Sequence, residues 1–134
     1  MYGGIFNCAV GIAGAIMAYS FGEWTQLHHF FLLVIAVDYF TGVAASLKEG
    51  KGLNSAFGFW GIAKKGLMLL IVMIAHRMDL LFGTELVMIG TIYFYTANEL
   101  ISITENYGRM GLPMPDVIRR MIAVLKNKGD SDRQ

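Results

Sequence analysis

An all-helical integral membrane fold is what this sequence predicts, with about four transmembrane helices followed by a basic amphipathic helix. Three observations carry that expectation. First, 55% of the 134 residues are hydrophobic and only 16% are charged, with a mean hydropathy of +0.52. An ordinary soluble domain carries about 25% charged residues. Second, the charges gather in connections and in the tail, leaving apolar runs long enough to cross a hydrocarbon core of about 30 Å. Third, the segment between Lys48 and Lys65 holds four lysines, Lys48, Lys51, Lys64 and Lys65, and lies between two such runs. A lysine-rich connection resists translocation, so this segment sets the direction of every span. A soluble helical domain with a large core fits the same pattern far less well.

The expected membrane domain covers residues 1–106, with spans at about 2–21, 30–47, 62–77 and 86–104. The first run has no ionisable acid or base from Gly3 to Ser20 apart from Cys8 and Tyr19. It is not read as a secretory signal, because no Lys or Arg precedes it and Ala18-Tyr19-Ser20 is a poor cleavage site. Small residues recur along it every three or four positions, at Gly11 and Ala15 and again at Gly14, Ala18 and Gly22. Such stripes let helix backbones approach closely in lipid. They suit self-association or packing against the chain's own helices equally well. Cys8, the single cysteine, leaves no internal disulfide and reads as a small packing residue. Glu23 to His29 is a short polar connection. His28 and His29 point about 100° apart on a helix, so they are interfacial polar residues rather than a metal pair.

The second span carries Asp38 near its middle. A carboxylate there costs at least about 2.5 kcal/mol on insertion scales, so it faces protein or water. Asp38, Gly42 and Ser46 share a face by the four-residue spacing, which suits a helix contact or a pore lining. Lys64 or Lys65 is the expected partner if Asp38 is paired. Glu49-Gly50-Lys51-Gly52 reads as a turn, and Asn54 or Ser55 can cap the next helix. Ala56 to Ile62 is aromatic and suits the interface, with Lys64 and Lys65 snorkelling to the headgroups. The third span closes at His76-Arg77-Met78-Asp79. A turn at Gly83-Thr84 makes it a hairpin with the fourth. The end of the fourth is polar, with Asn98, Ser102 and Glu105 or Asn106 on one face and Glu99 about a turn and a half inside.

Residues 107–134 form the expected cytoplasmic tail. Gly108, Gly111, Pro113 and Pro115 break the chain before a helix at about 115–127. Val117, Ile118, Met121, Ile122 and Leu125 make its apolar face, and Arg119, Arg120 and Lys126 its basic one. That pattern suits an anionic inner leaflet, or docking on the protein's own cytoplasmic side. Gly129 to Gln134 reads as a frayed end. With four spans, every Lys and Arg except Arg77 falls on the side of the termini and the middle connection, so both termini are expected in the cytoplasm.

The motifs of catalysis are missing: no phosphate-binding glycine loop, no H-E-x-x-H, no cysteine cluster and no nucleophile elbow. No enzyme, cofactor or metal is expected, and the basic residues show no groove pattern for nucleic acid. Asp38, Glu99 and His76 as a membrane enzyme is the weakest alternative.

Four pieces of the sequence, in order, resemble a known family. They are Asp38-Tyr39-Phe40-Thr41-Gly42, then Leu53-Asn54-Ser55 with Gly61-Ile62-Ala63-Lys64-Lys65, then Asn98-Glu99-x-x-Ser102-Ile103-x-Glu105-Asn106, and Gly111-x-Pro113-x-Pro115. The set is similar to the toxin-secretion/phage-lysis holins, phage holin family 4, over about Val37 to Leu125. The resemblance implies a homo-oligomer in the host bacterial cytoplasmic membrane that opens a timed hole, through which an endolysin or a toxin leaves and the cell lyses. It implies no catalytic residue and no cofactor, and it admits an antiholin as a partner. Asp38 and Glu99 are then expected paired or protonated in a compact bundle and hydrated on assembly. The alternatives are a small oligomeric channel with Asp38 and Glu99 as a selectivity site, and an antiholin that delays the hole.

Overall fold

The computed structural model describes residues 1–52 and 54–131. These form five helices: α1 (Tyr2–Phe21), α2 (Gln26–Lys48), α3 (Ser55–Phe82), α4 (Leu86–Arg109) and α5 (Asp116–Ser131). The first four are long and apolar enough to cross a membrane. No strand occurs among the described residues. Leu53 and residues 132–134, expected in the connecting motif and in the frayed tail, lie outside the described residues.

Helix α4 is the hub. It packs on α2 most extensively, then on α3 and α5, while α2 and α3 touch each other sparingly. The core is built from Phe31 and Val34 of α2, Val72 of α3, Ile92 and Ile103 of α4, and Met114 of the last connection. Ala45, Ala75 and Ala97 are also buried, as expected where helices approach without a hydrophobic drive between them.

Several boundaries differ from the sequence pattern, for physical reasons. Lys48, Arg77 and Arg109 all lie inside helices, because a helix continues past the hydrocarbon into the polar layer. Helix α3 begins at Ser55, so the Ala56–Ile62 stretch is the first part of that helix and not a separate interfacial segment. Helix α5 continues through Gly129 to Ser131, which were expected to fray. His28, expected at the interface, is only 4% exposed. Its Nδ1 accepts the Thr25 N–H at 3.3 Å and so closes the first turn of α2.

Helix α1 stands apart. Tyr2 to Tyr19 are exposed, Cys8 included, and it touches only α3. A Cβ at Gly11 or Gly14 would meet nothing within 4 Å. Up to Ala18 the small-residue stripe therefore does not pack against the chain's own helices; only Gly22 at its end does. The attachment is at the C-terminal end. Arg77 lies over the Tyr19 ring at 4.1 Å, Ser20 is buried, and the Gly22 Cα sits on the His76 imidazole. Gly22 has φ 69 and a Cβ there would lie 2.7 Å from His76, so this turn requires glycine twice over.

The α3–α4 hairpin turns at Gly83, with φ 67. The Asp79 carboxylate, 2% exposed, accepts the Thr84 hydroxyl at 2.6 Å and the Val87 and Met88 N–H groups at 2.9 and 2.8 Å. It thereby satisfies donors at the start of α4 that have no partner within the helix.

Candidate functional site

At the opposite end of α2–α4 the sparse contact between α2 and α3 leaves a cleft floored by α4. It encloses about 350 Å³. Asp38, Gly42, Ser46, Lys64, Lys65, Glu99, Ser102, Glu105 and Asn106 all line it, so nearly the whole expected polar set converges there. Asn98 does not. It is exposed and outside the cleft, because one residue before Glu99 on a helix is a rotation of about 100° away from the cleft.

The centre is an ion bridge spanning all three helices. The Lys65 ammonium donates to Asp38 Oδ2 at 2.8 Å and to Glu99 Oε2 at 2.6 Å. The side chains of Lys65, Asp38 and Glu99 are 15%, 15% and 9% exposed, so the charges are held in a largely dry setting. Of the two lysines named as partners for Asp38, Lys65 is the one that turns inward instead of snorkelling, while Lys64 stays exposed. Two carboxylates on one ammonium leave an acceptor to satisfy. Asn106 supplies the donor: its amide nitrogen gives hydrogen bonds to Asp38 Oδ1 at 3.0 Å, to the Asp38 carbonyl at 3.2 Å and to Thr41 Oγ1 at 2.9 Å. Asn106 lies seven residues after Glu99, two helical turns along one face, which is why one helix presents both.

A Cβ on Gly42 would sit 3.6 Å from the Asn106 amide, and Cβ atoms on Gly58 and Gly61 would sit 3.7 and 3.8 Å from the Tyr39 side chain. The Tyr39 ring therefore crosses from α2 to the glycine face of α3.

The rim of the cleft is a second network, which the sequence pattern did not single out. Arg109 Nε donates to Glu49 Oε1 at 2.8 Å, its Nη2 to Glu49 Oε2 and to Ser46 Oγ at 3.3 Å each, and its Nη1 to Asn106 Oδ1 at 3.3 Å. Lys51 lies 2.9 Å from Glu49, and the Lys48 ammonium donates to the Met110 carbonyl. The hydrogen bonds of Arg109, and secondarily of Lys51, hold the Glu49 carboxyl down at about 2, below its ordinary 4.5. The rim joins the α2–α3 connection to the end of α4, and Asn106 links the rim to the ion bridge.

Chemically the cluster is a clamp. No group of three or more side chains that could hold a metal ion occurs among the described residues. Asp79 lies apart from it as a helix cap, signalled in the sequence only by the Gly83-Thr84 turn that follows. The three basic residues expected at a membrane surface, Arg119, Arg120 and Lys126, are exposed on α5, away from the cleft.

Residues 15–127 match the bacteriophage holin family. An uncharacterised protein of Listeria monocytogenes is 43% identical over 122 residues, covering 90% of this chain and 86% of that protein. An uncharacterised protein of Clostridium perfringens is 37% identical over 132 residues, covering 95% and 97%. A probable holin of Bacillus phage phi105 is 36% identical over 114 residues, covering 84% and 83%. No solved structure matches.

Proposed function

The chain belongs to the bacteriophage holin family, and from that premise we propose that it assembles with copies of itself in the bacterial cytoplasmic membrane and opens a timed hole for an endolysin or a toxin. Both termini face the cytoplasm in this reading, because every Lys and Arg except Arg77 then lies on the inner side. The chain is not an enzyme and uses no cofactor. An antiholin is a further partner that such a system admits.

The observation that carries the reading is the Asp38–Lys65–Glu99 bridge inside helices built to span lipid. Ionisable groups at that depth are costly and mark function more often than stability. The cleft above the bridge is half-open between α2 and α3, and lipid solvates such a surface poorly. Contact with a second copy covers it. The bridge is therefore the part of each subunit most sensitive to assembly, and α1, bare along most of its length, is a second surface for copies to meet.

The test is inducible expression in a bacterium, with and without a muralytic enzyme that lacks an export signal. Abrupt lysis only when both are present, with enzyme activity appearing outside, is the expected result. Ion leakage with the enzyme retained inside would point to a narrow channel, and no effect at all to an antiholin. Asp38→Asn with Glu99→Gln is expected to change lysis timing and leakage. If both stayed as in the parent, the bridge would have no part in assembly.

A further inference from the structure

Helix α1 carries a carboxamide, Asn7, that no contact within the chain uses. The helix has 20 residues and so is about 30 Å long, no more than the thickness of a hydrocarbon core. Asn7 lies five residues in from Tyr2, about 7.5 Å along the helix from its inner end. Its side chain is exposed and has no hydrogen-bond partner among the described residues. An amide left in hydrocarbon without a partner is costly, and such groups are satisfied across helices.

Asn7 shares its face with Gly11, Gly14 and Ala18, all within about 40° of it round the helix. Tyr19, under Arg77, and the buried Ser20 hold α1 to α3. They lie about 120° and 140° from Asn7, one on either side. The Asn7 face therefore turns away from the chain's own bundle, and it cannot close the chain's own cleft while that attachment stands. The attachment also sets its depth. Gly22 sits on His76. Asn7 precedes Gly22 by fifteen residues and Gly61 precedes His76 by fifteen, about 22 Å along either helix. Helices α1 and α3 cross in the same direction in the four-span reading. Asn7 is thus level with Gly61, on the α3 wall of the cleft.

The cleft is made to receive such a group. Its walls are low at this level, since Gly42 of α2 and Gly58 and Gly61 of α3 line it without side chains. A helix about 10 Å across does not enter 350 Å³, so a helix lies across the mouth and a single side chain reaches in. Inside, two carboxylates share one ammonium. Three of their four oxygens accept from Lys65 or Asn106, and the fourth, Glu99 Oε1, accepts from neither. A carboxamide N–H is a neutral donor for this excess of acceptors.

We propose that α1 of one copy lies across the α2–α3 cleft of the next, with its Asn7 carboxamide donating to Glu99 beside the ion bridge. The inference rests on the holin reading and adds which element of the second copy covers the cleft. The contact is heterologous. The arm of one copy fills the cleft of the next, whose own arm is left for a third, so copies add into a ring or an open array.

The experiment uses the full chain in bacterial membranes, in a Cys8→Ala background, as two co-expressed forms with tags of different size. One carries Gly4→Cys, beside Asn7 on its face of α1. The other carries Gly58→Cys, level with it on the α3 wall, where a Cβ makes only an ordinary contact with Tyr39. A short bis-maleimide is expected to join the two forms. Ile5→Cys, at the same depth on the far side of α1, is expected to join several-fold less. Adding Asn7→Leu to the Gly4→Cys form is expected to cut the yield several-fold, and Asn7→Gln to keep most of it. Energy transfer between labelled copies in vesicles gives a second reading with no substitution in the cleft, and it is expected to fall in Asn7→Leu. Equal joining by Gly4→Cys and Ile5→Cys, joining of Gly4→Cys only to itself, or unchanged energy transfer in Asn7→Leu would overturn the proposal. If the parent still released a muralytic enzyme, the holin reading would survive that result. A parent that neither self-associates nor releases enzyme would sink both.

Discussion

At one end of α3 and α4, Asp79 takes its hydrogen bonds from the turn it closes, from partners five, eight and nine residues away. At the other end Asp38 and Glu99 take theirs from Lys65, which is 27 and 34 residues away, and from Asn106, 68 residues from Asp38. Both sites bury carboxylates, yet they do different work. The Asp79 cap forms with the local hairpin and is not altered by how three helices sit. The Lys65 bridge exists only while α2, α3 and α4 keep one arrangement. A small relative movement breaks it and leaves charges unpaired. One end of the bundle is thus a fixed hinge, and the other is a clamp that registers helix position. If the chain opens a hole as proposed, the second kind of contact is the one that has to break.

The clamp is where the largest effect is expected. Lys65→Met strands two carboxylates, and removing one partner of a buried pair costs about 3–5 kcal/mol. Denaturation of the purified chain in detergent micelles reads this directly. Neutralising all three groups, with Asp38→Asn, Lys65→Met and Glu99→Gln together, is expected to recover most of the loss, since no charge is then left unpaired. A triple variant as unstable as Lys65→Met alone would show that the lysine acts by packing and not as the bridging charge.

The hinge is expected to respond less and differently. Asp79→Ala removes acceptors from the start of α4, worth about 1–2 kcal/mol for a lost cap. Hydrogen exchange should quicken at the Val87 and Met88 amides specifically, while lysis timing follows stability alone. Unchanged exchange at those two amides would remove the cap from the account.

These two sites also show what sequence reveals. The span pattern and the basic amphipathic helix were legible, and helical periodicity places Asp38, Gly42 and Ser46 on a common face whatever the neighbours are; on α4 the pattern grouped Ser102 and Asn106 with Asn98, whereas the cleft groups them with Glu99. The choice between Lys64 and Lys65 was not. They differ by about 100° of rotation, and which one turns inward depends on how α3 packs on α2 and α4. Asn98 was misassigned for the same reason. Asp79 looked like a polar end of a span, since a carboxylate at a helix C-terminus gives no hint that the next helix uses it as its cap. The amphipathic pattern of α5 told that an apolar face exists but not what covers it.

The rim gives a smaller, pH-dependent effect. Glu49 is held down at about 2 from an ordinary 4.5, chiefly by Arg109. A carboxyl depressed in the folded state contributes above its ordinary value and loses that contribution as pH falls through the depressed one. The tie between Glu49 and Arg109 should therefore persist from pH 7 to pH 4 and fail only toward pH 2. The Arg109 Nε–H resonance in micelles reports it. It should hold steady down to pH 4, and Glu49→Gln should shift it throughout pH 4 to 7. A midpoint near 4.5 would mean that the pair does not form in solution.

The smallest effect on the monomer is expected in α1, where the comparison becomes sharpest. Gly14 has nothing within 4 Å of a Cβ, and the helix around it is exposed. Gly14→Leu should leave monomer stability within about 0.5 kcal/mol, as for other surface positions. The stripe before Gly22 then has no use inside the monomer, and a bulky side chain there should act on self-association alone. Energy transfer between labelled copies in vesicles should fall in Gly14→Leu while denaturation in micelles stays as in the parent. Gly22→Ala provides the contrast, because it collides with His76 and forces a positive φ on a residue with a Cβ. It should loosen the α1–α2 turn and lower stability. If Gly14→Leu destabilised the monomer as Gly22→Ala does, α1 would be packed along its length in the membrane. It would then be a fourth member of the bundle and not an arm left for a second copy.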